Sequence, residues 1–196
     1  MLQEPDWSHS KNRIIEHAHA AVVDFADQHP DVECSAFALA ADFLYGDLFI
    51  CFDTIENSLR EARRHALDSA TELSRVVRGE IVRNSLVDVI KKNNVRMHCS
   101  SSSEFAFPRY RLLHFTEWEA FFGDDDLPEE YDCNEPVIRL LVDAYDKLLD
   151  SRVFNRLKLS SPFYLCLDSA GELKLSVIHI LNWPMNSESN ARVPGR

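Results

Sequence analysis

Apolar residues recur at helical spacing at Ile14, Ala18, Ala21, Val22 and Phe25 within residues 11–28. That helix should stop before His29-Pro30, because the residue preceding a proline disfavours the helical conformation. The stretch "VECSAFALAADFLYGDLFICFD" then holds two apolar runs, Val32–Ala41 and Leu48–Phe52, divided by Tyr45-Gly46-Asp47. Runs this short, with a turn between them, predict a hairpin of largely buried strands. A second helix opens at Asp53 or Thr54; with Asp53 as the cap, Glu56 takes the third helical position of a capping box. Ile55, Leu59, Ala62, Ala66, Ala70, Leu73 and Val77 continue it at spacings of three and four, leaving Arg60, Arg63, Arg64, Arg75 and Arg78 largely on its wet side.

Gly79 breaks this helix before a shorter one around Ile81–Lys92. Residues 93–111 read as turn and loop around Asn93-Asn94 and Ser100–Ser103, with a strand near Phe105–Phe115. Thr116 should cap a short helix carrying Trp118, Phe121 and Phe122. Asn134-Glu135-Pro136 opens another helix, since asparagine caps well and proline fits the first turn, and its apolar face is Val137, Leu140, Leu141, Ala144, Tyr145 and Leu148. At the end, Phe163, Leu165 and Leu167 alternate with polar positions, as do Leu173, Leu175 and Val177. A three-residue loop, Ser169-Ala170-Gly171, would pair Leu167 with Leu173, Leu165 with Leu175 and Phe163 with Val177. That register sets His179 opposite Ser161 and Cys166 opposite Lys174, on different faces. The element order predicts an α+β fold: a single domain over residues 1–196, an antiparallel sheet packed against helices, and flexible termini at 1–10 and 185–196.

A chain of 196 residues with 45% hydrophobic residues can bury a substantial core. The five cysteines are an odd number, widely spaced and without a CxxC pair, which suggests reduced buried thiols. The start, MLQEPDWSHS, does not have the pattern of a signal peptide, and no apolar run is long enough to span a bilayer, so a cytoplasmic location is expected. The charge of −11 is uneven: Lys and Arg number 2 against 11 Asp and Glu in residues 1–56, 11 against 6 in 57–111, and 2 against 12 in 112–150. Such a balance argues against direct nucleic-acid binding, which needs a basic footprint. There is no HExxH, CxxC, GxSxG, Walker A or GxGxxG motif, so no metal, cofactor or catalytic residue is expected. The acids that cluster in pairs and runs do not have the alternating oxygen ligands of a calcium loop.

Three segments carry a resemblance: "LFICFDTIENSLREA", "RLLHFTEWEAFF" and "LKLSVIHILNWP". Their motifs are Thr54-Ile55-Glu56, Glu117-Trp118-Glu119, and Ser176-Val177 with Leu181-Asn182. Together they make most of residues 11–184 resemble a bacterial family known as domain of unknown function 4303. The resemblance implies no established activity; families of this acidic, motif-poor kind often look like immunity proteins encoded beside antibacterial toxins. The expected partner is then a cognate toxin or effector protein with a basic surface. Docking is expected through "EWEAFFGDDDLPEEYD": Glu117, Trp118, Glu119, Phe121, Phe122, Asp124, Asp125, Asp126, Glu129, Glu130, Tyr131 and Asp132. In this scheme the charges steer the encounter and the rings supply anchors, unless both phenylalanines belong to the core. The alternative is a small-ligand protein or enzyme with a pocket on the sheet around Arg109, Tyr164 or His179.

Overall fold

The structure is a computed structural model that describes residues 4–77, 99, 101–123, 134–169 and 175–181. Its first helix, α1, runs Trp7–Gln28, starting earlier than the periodicity suggests because Asp6 caps it: the Asp6 carboxylate accepts from the His9 amide at 2.9 Å. Trp7–Ser10 are therefore the first turn of a helix and not part of a loose terminus, and Ser10 is buried. The helix ends at His29, before Pro30, as expected.

Strands β1 (Glu33–Asp42) and β2 (Asp47–Thr54) form the expected hairpin, with Phe37 opposite Phe52 and Leu39 opposite Ile50. A single helical turn, Phe43–Tyr45, and Gly46 connect them. Gly46 adopts φ +64°, and a Cβ there would lie 2.3 Å from the Phe115 carbonyl oxygen, so only glycine fits. Its own carbonyl accepts from the Phe115 amide at 2.7 Å, which docks the hairpin turn onto the end of the next strand.

Helix α2 spans Ile55–Val77. Its cap is Thr54, whose hydroxyl accepts from the Asn57 amide at 3.1 Å. Arg60, Arg63 and Arg64 face solvent as expected. What packs inward, however, is Asn57, Ser58 and Glu61, while Ile55 and Leu59 are exposed. The predicted helix around Ile81–Lys92 lies outside the described residues. Strand β3 (Phe107–His114) leads into α3 (Thr116–Phe122), in which Thr116 is the first helical residue and makes no cap; Phe115 precedes it with no side-chain cap hydrogen bond. Helix α4 (Asn134–Asp150) buries all six residues of its expected apolar face.

Strands β4 (Lys158–Ser169) and β5 (Ser176–Leu181) complete a five-stranded sheet of order β3-β2-β1-β4-β5. The fold is α+β, but the sheet is mixed: β1 and β4 run parallel and every other pair is antiparallel. A parallel pair is accessible here because the chain between β2 and β4 carries helices long enough to return it to the other end of the sheet. The final hairpin keeps its two strands but not the expected register. Leu165 lies opposite His179 and not Leu175, Phe163 opposite Leu181, and, across an irregularity, Cys166 opposite Val177. Alternation could not select the register: at Phe163 and Leu165 the shift is even and keeps each side chain on its expected face, and beyond the irregularity Val177 moves to the other face, which is apolar too.

One face carries the larger core, packed by α1, α3 and α4. Phe25 stacks on Phe52 with ring centroids 4.2 Å apart, Phe115 stacks on Trp118 at 4.4 Å, and Phe37, Tyr145 and Phe163 fill the space between. The other face is floored by Ala36, Ala38 and Ala40 of β1, flanked by Cys51 and Cys166, and covered by Cys99, Phe105 and the start of α2.

Candidate functional site

The expected docking segment divides into three parts. Trp118, Phe121 and Phe122 are buried and cannot serve as exposed anchors. The Trp118 indole nitrogen donates to Ser10 Oγ at 3.1 Å, and the Trp7 ring packs against all three rings at centroid distances of 6.1–6.4 Å. A seven-residue helix has one apolar stripe, and burying three rings yields roughly 1.5–3 kcal/mol each, so they join the core when α1 offers a wall. Glu117 accepts from Ser10 Oγ at 3.4 Å, and exposed Glu119 lies 3.6 Å from His114 Nε2, whose other ring nitrogen is 3.0 Å from Asp47. Asp124, Asp125, Asp126, Glu129, Glu130, Tyr131 and Asp132 lie outside the described residues, in the connection between α3 and α4.

The elements at both ends of that connection share a sign. Residues 4–28 with α3 and α4 hold eleven Asp and Glu against four Lys and Arg, whereas α2 on the opposite face holds four of each. Three of the four cations are already held: Lys11 by Asp143 at 3.4 Å, Arg139 by Glu135 at 2.6 Å, and Lys147 by Asp150 at 3.6 Å. Arg13 lies 4.6 Å from the centroid of the Phe115 ring and donates to the His114 carbonyl. The helical face therefore presents an excess of carboxylates around the ends of the most acidic stretch of the chain.

A second polar cluster, on the α2 face, escaped the reading of the sequence. Asp53 is buried at the end of β2 and accepts from Asn57 Nδ2 at 2.6 Å, the Ala106 amide at 3.1 Å, Ser35 Oγ at 3.3 Å and Cys99 Sγ at 3.5 Å. Asn57 also donates to the Glu104 carbonyl at 2.9 Å and accepts from Arg60, while Arg64 joins Glu61 at 2.8 Å and Glu104 at 2.7 Å. At the far side of the same face, Asp168 accepts from the Ser102 amide at 2.7 Å and Ser101 Oγ at 3.1 Å. Two carboxylates thus strap Cys99 and residues 101–106 across the alanine floor. Each oxygen of Asp53 is taken up by internal donors, so the cluster reads as a structural latch and offers no base to a substrate. The spacing of Asn57, Ser58 and Glu61 on one helical stripe was the available signal for it.

Nucleophilic chemistry at the thiols is equally disfavoured. Cys34, Cys51, Cys99 and Cys166 are free and buried, as the spacing of the cysteines suggested. Burial, reinforced by the Asp53 carboxylate, pushes the Cys34 thiol up to about 12. Burial likewise takes Cys51 to about 12 despite a hydrogen bond involving Ser102, and raises Cys99 and Cys166 further. Thiolate is the reactive form, so these groups are inert near neutrality.

The residues named for a pocket on the sheet do not converge. His179 faces α4, with Nε2 3.8 Å from Asp146, whereas Tyr164 is buried in the other face and Arg109 lies over the Phe49 ring at 4.8 Å, at the sheet edge, with β2 and β1 between it and β4. Cys166 and His179 remain on opposite faces, although in a different register from that expected. Among the described residues, no three His, Cys, Asp or Glu side chains gather in a way that could hold a metal ion, and no helix is long and apolar enough to cross a membrane. No family model, curated protein or solved structure matches the chain.

Proposed function

We propose that this chain is an immunity-type inhibitor: a binding protein that neutralises a cognate antibacterial toxin by laying an acidic surface into its basic active-site cleft. The observation that supports this most is the segregation of charge between the two sides of the sheet. The side built from α1, α3 and α4 has carboxylates in nearly threefold excess, and α3 and α4 bound the connection that holds Asp124, Asp125, Asp126, Glu129, Glu130 and Asp132. A surface of one sign accelerates encounter with a partner of the other and discriminates against the wrong one. The buried rings of Trp118, Phe121 and Phe122 give the acidic connection a rigid origin, which limits the entropy lost when it docks. The resemblance to the domain of unknown function 4303 family belongs to the same reading, as does a cytoplasmic site of action.

The test is co-expression with the product of the adjacent gene. That product should be toxic alone and harmless with this chain, and the purified pair should associate more slowly as salt rises. Reversing Asp124, Asp125 and Asp126 to lysine should weaken the pair by at least about tenfold, or 1.4 kcal/mol. Unchanged affinity would remove the connection from the interface, and turnover of a substrate by the isolated chain would remove the reading altogether.

A further inference from the structure

Turns between strands favour glycine, proline, asparagine, aspartate and serine. The β1–β2 connection instead places Phe43, Leu44 and Tyr45 ahead of Gly46. Phe43 has a structural role: it is buried, with its ring 5.1 Å from that of Phe122. Leu44 and Tyr45 are 51% and 66% exposed, and among the described residues they are the two large apolar side chains left exposed next to each other in the chain. Apolar side chains scattered singly on a surface are ordinary, but two together on a tight turn call for another reason.

Carboxylates stand around this pair. Asp42, which precedes the turn, makes no cap hydrogen bond to it and lies directly opposite Asp47 across the β1–β2 ladder. Like charges in facing positions of a strand pair destabilise it. Burial, and then the Asp47 carboxylate, hold the Asp42 carboxyl above its ordinary range. Glu119 closes the other side: a Cβ on Gly46 would lie 3.3 Å from the Glu119 Cβ, so α3 brings this acid against the turn. His114 offsets part of the charge, with its ring nitrogens 3.0 Å from Asp47 and 3.6 Å from Glu119, and Arg13 is held over the Phe115 ring. A like-charged pair that the fold does not use, beside apolar side chains that the fold does not bury, breaks two local rules at one place, which marks a surface shaped for a partner.

We propose that this turn is the apolar anchor of the inhibitor surface: Tyr45, flanked by Leu44, enters an apolar recess in the basic cleft of the partner protein, and Asp42, Asp47 and Glu119 face the cations around that recess. The inference rests on the inhibitor reading and names the anchors that buried Trp118, Phe121 and Phe122 cannot provide. Tyrosine suits the role, because it brings a large contact area with few torsions to freeze and a hydroxyl for the wet rim. The turn is held before binding: Gly46 keeps its left-handed conformation, its carbonyl accepts from the Phe115 amide at 2.7 Å, and Phe43 is seated in the core. An anchor that is already ordered loses little entropy on docking. The position is also continuous with the acidic connection, since Phe43 packs against Phe122 and that connection leaves α3 just after Gly123.

Titration calorimetry of the full chain with the product of the adjacent gene tests this. Tyr45→Ala should raise the Kd at least about thirtyfold and Leu44→Ser about tenfold, with the thermal midpoint of the free chain unchanged because both side chains are exposed. Leu59→Ser, at an exposed position on α2 beyond the other end of β2, should leave the Kd unchanged. Asp42→Asn should move the two readouts apart, raising the thermal midpoint of the free chain and raising the Kd about threefold. Wild-type affinity in Tyr45→Ala and Leu44→Ser, while reversal of Asp124, Asp125 and Asp126 weakens the pair, overturns the anchor and leaves the inhibitor reading standing. A wild-type chain that binds nothing overturns both. An equal loss in Leu59→Ser, or a lower thermal midpoint in Asp42→Asn, also overturns the proposal.

Discussion

The two faces of the sheet are stabilised by different chemistry. Under α1, α3 and α4 the contacts are large rings and branched aliphatics, and the polar groups admitted there are few and specific: the Trp118 indole held by Ser10, and the Tyr145 hydroxyl. Under α2 the floor is alanine and cysteine, and a carboxylate at each side draws the cover down by hydrogen bonds. The first face gains its stability from area removed from water, which tolerates some repacking. The second depends on every donor finding its acceptor, which tolerates little.

Substitutions should expose this contrast. The largest loss belongs to the first face: Trp118→Ala removes a fully buried ring and should cost about 3–5 kcal/mol, read from the urea midpoint. Asp53→Ala should cost about 3 kcal/mol although far less volume is removed, because it strands the donors of Ser35, Asn57 and Ala106. Hydrogen exchange separates the two variants, with the Ala106 amide accelerating in Asp53→Ala and amides of α1 spared. If Asp53→Ala behaves as a surface substitution, the latch is an ornament of the fold.

Thiol protection gives a third measure. In a Cys133→Ser protein at pH 8, a thiol reagent should react at least about a hundredfold more slowly than in denaturant. The folded values of Cys34 and Cys51, about 12, lie above those of the unfolded chain. Thiolate therefore forms first in the unfolded state: the contribution to stability is whole below about pH 9 and is lost as pH rises toward 12. Tyr145→Phe should cost about 1–3 kcal/mol. The Tyr145 hydroxyl accepts from the Leu39 amide at 3.0 Å and donates to the Cys166 carbonyl, bridging the parallel β1–β4 pair, and the ring alone cannot replace it. The smallest effect is Arg64→Ala. Arg64 is half exposed, and its bridges to Glu61 and Glu104 should contribute no more than about 1 kcal/mol and fade with salt.

Legibility followed the same division. The apolar faces of α1 and α4, the β1–β2 hairpin and its glycine turn were readable because each carries one unambiguous period. The start of α1 was missed, since Asp6 acts through a single cap ahead of the periodic run. The β4–β5 register was missed because Val177 finds an apolar neighbourhood on the face opposite to the one expected. At the candidate site, the acidic bias was visible in composition, but the burial of Trp118, Phe121 and Phe122 depended on where α1 begins. The sequence offered Asp53 or Thr54 as the cap of α2; Thr54 takes that role, and Asp53 is freed for the buried latch that the sequence did not reveal.

By itself the sequence determined, among the described residues, which segments are helix and which are strand, that the class is α+β, and that acids concentrate toward particular stretches, because period, turn chemistry and charge are local properties. The tertiary structure alone decided that β1 and β4 run parallel, that two carboxylates strap Cys99 and residues 101–106, and that the first turns of α2 face Asn57, Ser58 and Glu61 inward and leave Ile55 and Leu59 exposed. Those outcomes hang on which donors reach a buried charge, and a donor's reach is set by residues distant in the chain.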